Sequence, residues 1–447
     1  MSFTDLDELA VDPERLRIYA EGWQSWSPTT WASWGAPHRP AQGWEHTMRF
    51  RPGVALPESP VVQGEGLLAV DPGTGDPTRT YAVRRATDDV STIRASLSGE
   101  RLRVSADGPV ETAAHDDPVT ALTAAGDVFA ATAGVGTLRP APRVWCSWYR
   151  YFEDVTTADV EENLAAFDRH DLPVEVVQID DGWSAGLGER LRPSAGMPDL
   201  AALVDRIRQT GRRAGIWLAP FMVGARTEVA RQHPEWLTGD AGFNWGQDML
   251  GLDLTHPEVR DYLSGEVRRL VGLGIDYLKL DFLYAGAVPG RRHADASPVA
   301  AYRSGLELIR EAAGPDAYLL GCGAPILPSV GLVDAMRVSP DTFHEGGEDG
   351  STGLRGRMSL VARSWQHGRF WVNDPDSLVT RPTYAQRERW AETVETFGGL
   401  RSFSDRVEEL DDWGLATTRR LMSAVPDPAP FGDDVLARSL ERREASA

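Results

Sequence analysis

The stretch Ile275-Asp276-Tyr277-Leu278-Lys279-Leu280-Asp281 decides the fold of this chain. Its apolar residues predict a short buried β-strand, and Asp281 stands where that strand gives way to a loop. An ionised carboxylate at the end of a core strand is costly unless it has charged partners or a chemical task. Asp281 is therefore expected to lie among groups that converge on it from other parts of the chain.

Seven more strand candidates alternate with amphipathic helices around this stretch. They follow a proline break at residues 138–142, where the sequence pattern changes. A chain segment of eight strands with intervening helices has the length and order of a (β/α)8, or TIM, barrel of the α/β class. A doubly wound sheet is the alternative, but Trp145-Cys146-Ser147-Trp148 is unlike the glycine-rich loop that such a sheet carries. The eight strands are predicted at residues 144–148, 174–180, 214–220, 275–281, 317–321, 335–339, 370–374 and 400–404.

The regions on either side of the barrel have other patterns. Residues 1–140 are turn-rich with short alternating runs at 80–83, 92–97, 101–104 and 128–131, which predict a short, partial antiparallel β-sandwich domain before the barrel at 141–424. Residues 425–447 begin with several prolines and are expected to form a loosely packed C-terminal tail. Within the barrel, Thr255 followed by Pro257 and Glu258 predicts a helix start with Thr255 as N-cap.

Composition excludes several classes of function. A net charge of −20 disfavours nucleic acid as a partner, because phosphate binding needs a basic surface. Two cysteines, Cys146 and Cys322, form neither a disulfide framework nor a zinc pattern, and two packed thiols are expected. The acidic N-terminus has no signal-peptide pattern and no apolar run is long enough to span a membrane, so a cytoplasmic protein is expected. Assembly into a homo-oligomer is compatible with the sequence.

Acidic residues follow four of the predicted strands, and in a barrel these ends meet at one rim. A single Asp in such a place is usually a turn former or helix cap. Four acidic positions with accompanying Lys, Arg and Trp indicate more, because glycoside cleavage needs a pair of carboxylates and sugar rings stack on indoles. The acids are Asp180 and Asp181, Asp281, Asp341, and Asp374 and Asp376, and the tryptophans are Trp148, Trp183 and Trp217.

Other chemistries fit the sequence less well. There is no GxSxG nucleophile elbow and no Walker loop. The acids are compatible with an oxygen-rich Mg²⁺ site, but a lysine two residues from Asp281 and the surrounding tryptophans disfavour it. No metal and no cofactor is therefore expected.

An ordered set of motifs resembles the α-galactosidases of glycoside hydrolase family 36 and the related family 27. The resemblance covers about residues 18–26 and 143–423. Its matching pieces are GWQSW at 22–26, WCSWYRYF at 145–152, DLPVEVVQIDDGW at 171–183, GIWLAPFMV at 215–223, HPEW at 233–236, LDLTHPEVRDYL at 252–263, IDYLKLDF at 275–282, RVSPD at 337–341 and NDPD at 373–376.

The resemblance implies a retaining double displacement and assigns the catalytic pair. Asp281 matches the nucleophile and Asp341 the general acid/base, with Arg337 near the sugar 2-hydroxyl and Lys279 on the side of the 3- and 4-hydroxyls. Retention predicts a separation of roughly 5–5.5 Å between the two carboxyl groups. Because Asp341 must carry a proton to donate it, we expect Arg337 not to pair with it directly.

The resemblance also implies a sugar-binding set. Asp180 and Asp181 match acids that bind the 4- and 6-hydroxyls. Trp148 and Trp217 match aromatic walls of the site, and Asp376 matches a further site acid. In the family, an aromatic from the N-terminal domain covers the site, a role for which Trp26 or Trp23 is the candidate.

The chain departs from the family in ways that affect specificity. The N-terminal domain is short and a C-terminal β domain is not evident. Gly321-Cys322-Gly323-Ala324-Pro325 lacks the usual arginine, and Phe221 and Phe282-Leu283 replace common family residues. The resemblance therefore implies a cytoplasmic retaining exo-glycosidase that hydrolyses terminal α-D-galactosyl residues of a carbohydrate substrate. The alternatives are cleavage of an α-N-acetylgalactosaminide or α-glucoside, galactosyl transfer, non-catalytic sugar binding, or a metal-dependent isomerase or lyase.

Overall fold

A computed structural model describes residues 2–34, 43–57, 60–341 and 351–440 of the chain, without the side chains of 351–355. It contains two antiparallel sheets in the N-terminal part and an eight-stranded parallel sheet in the remainder. A three-stranded antiparallel sheet is inserted between two strands of the parallel sheet. The predicted fold class, a (β/α)8 barrel preceded by a short β-sandwich, is confirmed.

The two N-terminal sheets pack face to face. The elements of this part are β1 (Thr4–Ala10), β2 (Arg17–Ala20), β3 (Trp31–Ser33), α1 (Trp44–Arg49), β4 (Val62–Glu65), β5 (Leu67–Asp71), β6 (Thr78–Ala82), β7 (Thr92–Ser98), β8 (Arg101–Ala106), β9 (Glu111–His115) and α2 (Pro118–Ala133). The strand orders of the two sheets are β1-β8-β7-β4 and β3-β2-β5-β6-β9. Alternate residues such as Ile18, Val70 and Val104 point inward and form a separate apolar core between the sheets.

One predicted strand in this region is wrong. Residues 128–131 lie in the last turns of helix α2, where the alternating pattern predicted β structure. The local sequence favours the helix at both ends, because Asp117 caps the amides of Val119 and Thr120 and Gly134 ends it in the left-handed conformation. The alanine-rich sequence between them has high helix propensity.

The eight barrel strands all occur where the sequence predicts them, each within two residues at its start and at its end. The elements are β10 (Arg143–Cys146), α3 (Trp148–Tyr151), α4 (Thr157–Arg169), β11 (Val176–Ile179), α5 (Leu200–Gln209), β12 (Arg213–Leu218), β13 (Met222–Gly224), α6 (Glu228–Gln232), β14 (Leu237–Asn244), β15 (Gln247–Leu252), α7 (Pro257–Gly272), β16 (Ile275–Leu280), α8 (Pro298–Ala313), β17 (Tyr318–Gly321), α9 (Ile326–Ser329), β18 (Ala335–Arg337), α10 (Ser351–Ala362), β19 (Val372–Asp374), α11 (Arg387–Phe397), β20 (Arg401–Phe403), α12 (Asp412–Ser423) and α13 (Asp433–Arg438). Short 3₁₀ helices lie at Phe152–Asp154, Pro234–Trp236, Leu283–Ala287, Ser364–Gln366 and Val407–Glu409.

The parallel sheet is a nearly closed barrel. Its order is β19-β18-β17-β16-β12-β11-β10-β20, so that consecutive barrel strands are neighbours. The amides of Gly399 and Leu400 each donate a 2.9 Å hydrogen bond to the Asn373 carbonyl and join the two outer strands. β16 lies in the middle of this order, between β12 and β17. The carboxyl ends of all eight strands therefore surround one opening, with Asp281 directly after β16.

The inserted sheet brings a hairpin to the rim of the barrel. Strands β14 and β15 are antiparallel and are joined by Trp245 and Gly246, both with positive φ. Two residues in the left-handed region are what a tight two-residue hairpin turn requires. Helix α1 packs against β14, and a Cβ at Gly242 would lie only 2.9 Å from Cγ of Met48.

Two further local predictions are corrected. His256, not Thr255, is the N-cap of α7, because its Nδ1 accepts the Glu258 amide at 3.2 Å. Thr255 instead donates to Asp253 at 2.7 Å. The tail after residue 425 is not loose throughout: helix α13 forms and Leu436 is buried in the main core. Residues 441–447 lie outside the described part of the chain.

Candidate active site

Lys279 and Asp180 form a buried ion pair at the centre of the rim. Lys279 Nζ lies 2.9 Å from Asp180 Oδ2, and both side chains are less than 10% exposed. Asp180 also accepts from Gln178 Nε2 at 2.5 Å and from Cys146 Sγ at 3.3 Å. Burial alone would lower the pKa of Lys279, but the Asp180 and Asp281 carboxylates outweigh it and hold that pKa well above the usual value. Lys279 is therefore a fixed cation between strands β11 and β16.

Asp281 is held in one orientation by two hydrogen-bond donors and lies beside a cation. Trp217 Nε1 donates to Oδ2 at 2.9 Å, the Phe282 amide donates to Oδ1 at 2.8 Å, and Lys279 Nζ lies 4.0 Å from Oδ2. The turn that supplies the amide has Phe282 at φ +50°, an uncommon conformation for an aromatic residue. Backbone strain of this kind is concentrated at functional sites. The result is a buried, oriented carboxylate beside a cation.

Two further tryptophans contact the neighbours of Asp281, namely Trp217 and Phe282. Trp183 donates to the Trp217 carbonyl at 2.9 Å and so fixes the residue that holds Asp281. Trp26, from the N-terminal part, packs edge-on against Phe282 with ring centroids 4.9 Å apart. Gly323 makes this approach possible, because its φ is +53° and a Cβ there would meet the Trp26 ring at 3.0 Å.

A buried arginine anchors the segment that carries Trp26. The Arg363 guanidinium lies 2.8 Å from Glu21 Oε1, and both side chains are fully buried. The same group donates to the carbonyls of Ser25 and Val338 at 2.8 and 2.9 Å. Residues 21–29 are thereby joined to the chain between β18 and Asp341.

Arg337 connects the acids of strands β18 and β19. Its Nη2 lies 2.7 Å from Asp341 Oδ1 and 2.6 Å from Asp376 Oδ2. The prediction that Arg337 does not pair with Asp341 is therefore wrong. The physical reason is burial: the guanidinium side chain is 2% exposed and needs carboxylate partners to offset its desolvation. Tyr149 completes the group by donating to Asp376 Oδ2 and lying 3.5 Å from Arg337.

The loop after β19 is shaped by its own acids. Asp376 has φ +92°, and its amide donates to Asp374 Oδ1 at 2.9 Å. Burial raises the pKa of Asp374 to about 6, although the nearby Arg337 opposes that shift. Asp376 is thus directed at Arg337 while Asp374 supports the turn beneath it.

The Asp180-Asp181-Gly182 turn places a second carboxylate at the rim. Asp181 is half-buried and accepts the Gly182 amide at 2.8 Å and Trp245 Nε1 at 2.9 Å. Gly182 has φ +108°, and a Cβ there would lie 2.6 Å from the Glu153 carbonyl oxygen. The pKa of Asp181 is raised to about 7, chiefly by burial; the Asp180 and Glu153 carboxylates also raise it, and the two hydrogen bonds lower it.

The structure thus brings most of the predicted residues together. Trp148 begins α3 directly after β10, and its half-buried ring packs against Phe152 at 5.1 Å. Trp23 is buried beneath Arg51, 5.0 Å from its guanidinium, so Trp26 is the tryptophan of this segment that contacts the rim. The residues assembled at the rim are Asp180, Asp181, Trp183, Trp217, Lys279, Asp281, Arg337, Asp341 and Asp376.

Sequence reasoning missed Trp245 and Tyr149. Trp245 lies in Asn244-Trp245-Gly246, which has only the composition of a turn, and its contact with Asp181 spans 64 residues. Tyr149 lies inside the motif at 145–152, directly after Trp148, so the motif contained the signal that would have identified it. Trp245 donates to a site carboxylate from a hairpin turn and Tyr149 from the short helix α3, and hydrophobic periodicity predicts neither contact.

One group outside the rim has the composition of a metal site. Within the described ranges, only His233, Glu235 and Glu258 bring three potential ligand atoms within 4.8 Å of one another. Both glutamates are exposed, and the atoms are already engaged: His233 Nδ1 lies 3.2 Å from Glu235, and Trp236 Nε1 donates to Glu258 at 3.0 Å. Among the residues described, no helix has the length and apolarity for a membrane crossing.

A parallel barrel with carboxylates, cations and indoles at its rim defines the class of (β/α)8 glycoside hydrolase barrels. The family model described as "Melibiase" matches residues 138–304. The α-galactosidase from Thermus thermophilus, solved with stachyose, is 30% identical, with a TM-score of 0.76 over 95% of this chain and 94% of that one. The chain belongs to the melibiase family, that of the family 36 α-galactosidases.

Other relatives are longer than this chain. The α-galactosidase of Escherichia coli is 32% identical over 154 residues, which cover 31% of this chain but only 22% of that protein. The family 36 α-galactosidase AgaA from Geobacillus stearothermophilus shares the fold at 13% identity, with a TM-score of 0.62 over 93% of this chain and 61% of that one. The same T. thermophilus enzyme has also been solved with p-nitrophenyl α-D-galactopyranoside, at 29% identity and a TM-score of 0.77.

Proposed function

We propose that the protein is a retaining exo-glycosidase that hydrolyses terminal α-D-galactosyl residues. The observation that carries the proposal is the Asp281 carboxylate, which is buried at the end of β16, oriented by Trp217 and Phe282, and 4.0 Å from the Lys279 cation. Similarity to the T. thermophilus α-galactosidase along nearly the whole chain supports galactose as the sugar.

In the first step, an Asp281 oxygen attacks the anomeric carbon while Asp341 gives its proton to the departing glycosidic oxygen. The glycosidic bond breaks, and an ester between the sugar and Asp281 forms. Lys279 is the cation beside the attacking carboxylate, with its Nζ 4.0 Å from Asp281 Oδ2. In the second step, water attacks the anomeric carbon, the bond from that carbon to the Asp281 oxygen breaks, and a proton of the water passes to Asp341. The Asp281 carboxylate and the Asp341 carboxylic acid are thereby restored.

The ion pair between Arg337 and Asp341 must break before the first step can occur. Asp341 donates a proton only when it is no longer bound to the guanidinium, and Asp376 lies 2.6 Å from the same Nη2 and can hold Arg337 meanwhile. A sugar hydroxyl at Arg337 would take the place of Asp341. The acid/base role of Asp341 therefore depends on substrate binding at Arg337.

Two buried donors support a polar ligand at this opening. Trp26 Nε1 and Arg337 Nε are buried and have no hydrogen-bond partner among the residues described. Buried donors normally find a partner, and sugar hydroxyls are acceptors of suitable size. Trp26 packs against Phe282, the residue after Asp281, and Arg337 pairs with Asp341.

The test compares nitrophenyl glycosides that differ at one sugar position. We expect rapid hydrolysis of the α-galactoside, much slower hydrolysis of the α-N-acetylgalactosaminide and the α-glucoside, and α-galactose as the first product by NMR. Asp281→Asn should abolish turnover, whereas Asp276→Asn, on the same strand but paired with Arg213 at the opposite end, should retain it. Equal activity of Asp281→Asn and the parent would refute the proposal.

A further inference from the structure

Trp245 lies at the tip of the hairpin formed by β14 and β15, where it enters the rim from outside the barrel. Its backbone has φ +49°, the left-handed conformation that the two-residue turn requires. The ring packs against Phe282 with centroids 5.1 Å apart and against Trp217 at 6.2 Å. One residue therefore contacts the two side chains that flank Asp281.

The indole nitrogen of the same residue contacts a third part of the site. Trp245 Nε1 donates to Asp181 Oδ2 at 2.9 Å, while the other carboxylate oxygen accepts the Gly182 amide at 2.8 Å. Among the residues described, no other side chain donates a hydrogen bond to the Asp181 carboxylate. Both oxygens of Asp181 are thus directed, one by its own turn and one by the hairpin.

The electrostatic surroundings of Asp181 make this hydrogen bond important. Asp180 and Glu153 face it with the same charge, although Asp180 is neutralised by Lys279 at 2.9 Å. Arg192, in the loop that lines the same cavity, is paired with Glu189 at 3.0 Å. Burial raises the pKa of Asp181 to about 7, and the Trp245 N–H opposes that shift by stabilising the ionised carboxylate.

We propose that Trp245 is a positioning residue that fixes the orientation and the ionised state of Asp181, so that the β14–β15 hairpin controls how the terminal sugar is bound. The inference rests on the proposed function. An ionised carboxylate accepts hydroxyl hydrogen bonds with both oxygens, whereas a protonated one has lost part of that capacity. Loss of the indole N–H should therefore weaken sugar binding most where Asp181 begins to take up a proton.

The experiment measures kcat and KM of Trp245→Phe on nitrophenyl α-galactoside between pH 5 and pH 9. Phenylalanine keeps an aromatic ring against Phe282 but removes the donor. A hydrogen bond to a charged group corresponds to a shift of roughly one pH unit, so the acid limb of kcat/KM should move upward by that amount. Activity should fall about tenfold more at pH 6 than at pH 8.5, and the change should lie in KM.

Two further variants separate this role from simple packing. Trp236→Phe is the matched control, because Trp236 Nε1 donates to the Glu258 carboxylate at 3.0 Å away from the rim. It should leave the pH profile unchanged. In an Asp181→Asn background, Trp245→Phe should no longer move the acid limb, and the two substitutions should be non-additive in kcat/KM.

The outcomes are distinct. An acid limb of Trp245→Phe that coincides with that of the parent, or additive effects of Trp245→Phe and Asp181→Asn, would overturn the inference and leave the proposed function intact. Absence of all α-galactoside hydrolysis in the parent would instead refute the proposed function. In that case the Asp181 titration is followed directly by NMR of carboxyl-labelled aspartate, where Trp245→Phe should still raise the pKa of Asp181.

Discussion

The buried pair of Arg363 and Glu21 should be the strongest single link between the N-terminal segment and the barrel. Arg363 donates hydrogen bonds to Glu21, Ser25 and Thr29 at 2.8 Å each and to the barrel carbonyl of Val338 at 2.9 Å. Arg363→Met removes all of them while keeping most of the side-chain volume. It also leaves the carboxylate of Glu21 in a fully buried place without its cation.

The expected loss follows from that burial. Removing one partner of a buried ion pair costs about 3–5 kcal/mol of unfolding free energy. Glu21 keeps hydrogen bonds from Tyr19 at 2.7 Å and Gln366 at 2.8 Å, which place the loss toward the lower end of this range. A second change, Glu21→Gln, removes the stranded charge, so the double variant should lose less than the sum of the single losses.

Urea unfolding at pH 7 measures these losses, with kcat/KM on the same samples. Arg84→Met is the matched control, because Arg84 and Glu111 are 3.0 Å apart but more than half exposed. That control should lose less than about 1 kcal/mol. Since Trp26 is carried by the same segment, kcat/KM of Arg363→Met should fall as well. A loss in Arg363→Met no larger than in Arg84→Met would refute the reasoning.

Three further substitutions test other parts of the account. Gly182→Ala should lower both stability, by about 2 kcal/mol or more, and kcat/KM, because the new Cβ would meet the Glu153 carbonyl; calorimetry and initial rates check this. Lys279→Met should reduce kcat by at least about 100-fold while the fold persists by circular dichroism, because Asp281 loses its neighbouring cation. Burial raises the pKa of Glu266 to about 7, so the charged form costs folding free energy as pH rises from about 4.5 through 7. Glu266→Gln should therefore match the parent at pH 4 and be more stable by about 1–2 kcal/mol at pH 8 in urea unfolding.

The barrel strands were predictable because each has a short apolar run, and most have an acid or a tryptophan at or just after the end. Burial on both faces gives parallel strands a nearly continuous apolar sequence, and β16 is the clearest case. Helix α2 was not predictable in this way. Its short run at 128–131 looks alternating, whereas the caps at Asp117 and Gly134 that decide the outcome lie outside that run.

The acids of the site were predictable from their place at strand ends, but their partners were not. The contacts of Trp245 with Asp181 and of Tyr149 with Asp376 join residues 64 and 227 positions apart. Such contacts depend on how the segments that follow the strands fold over the rim, and no local sequence pattern encodes that arrangement. The expectation that Arg337 does not pair with Asp341 was wrong for a similar reason. It was derived from the role of Asp341 in the reaction, and that role does not define the partner of Asp341 in the free protein.

The central claim is that Asp281 becomes covalently bound to the sugar. Incubation with a 2-deoxy-2-fluoro-α-galactosyl fluoride should slow the second step and let the ester accumulate. Mass spectrometry of the intact protein should then show one added fluorogalactosyl group, and peptide sequencing should place it on Asp281. Asp276→Asn should be labelled like the parent and Asp281→Asn should not be labelled. Labelling of another residue, or an inverted first product with no adduct, would contradict the account.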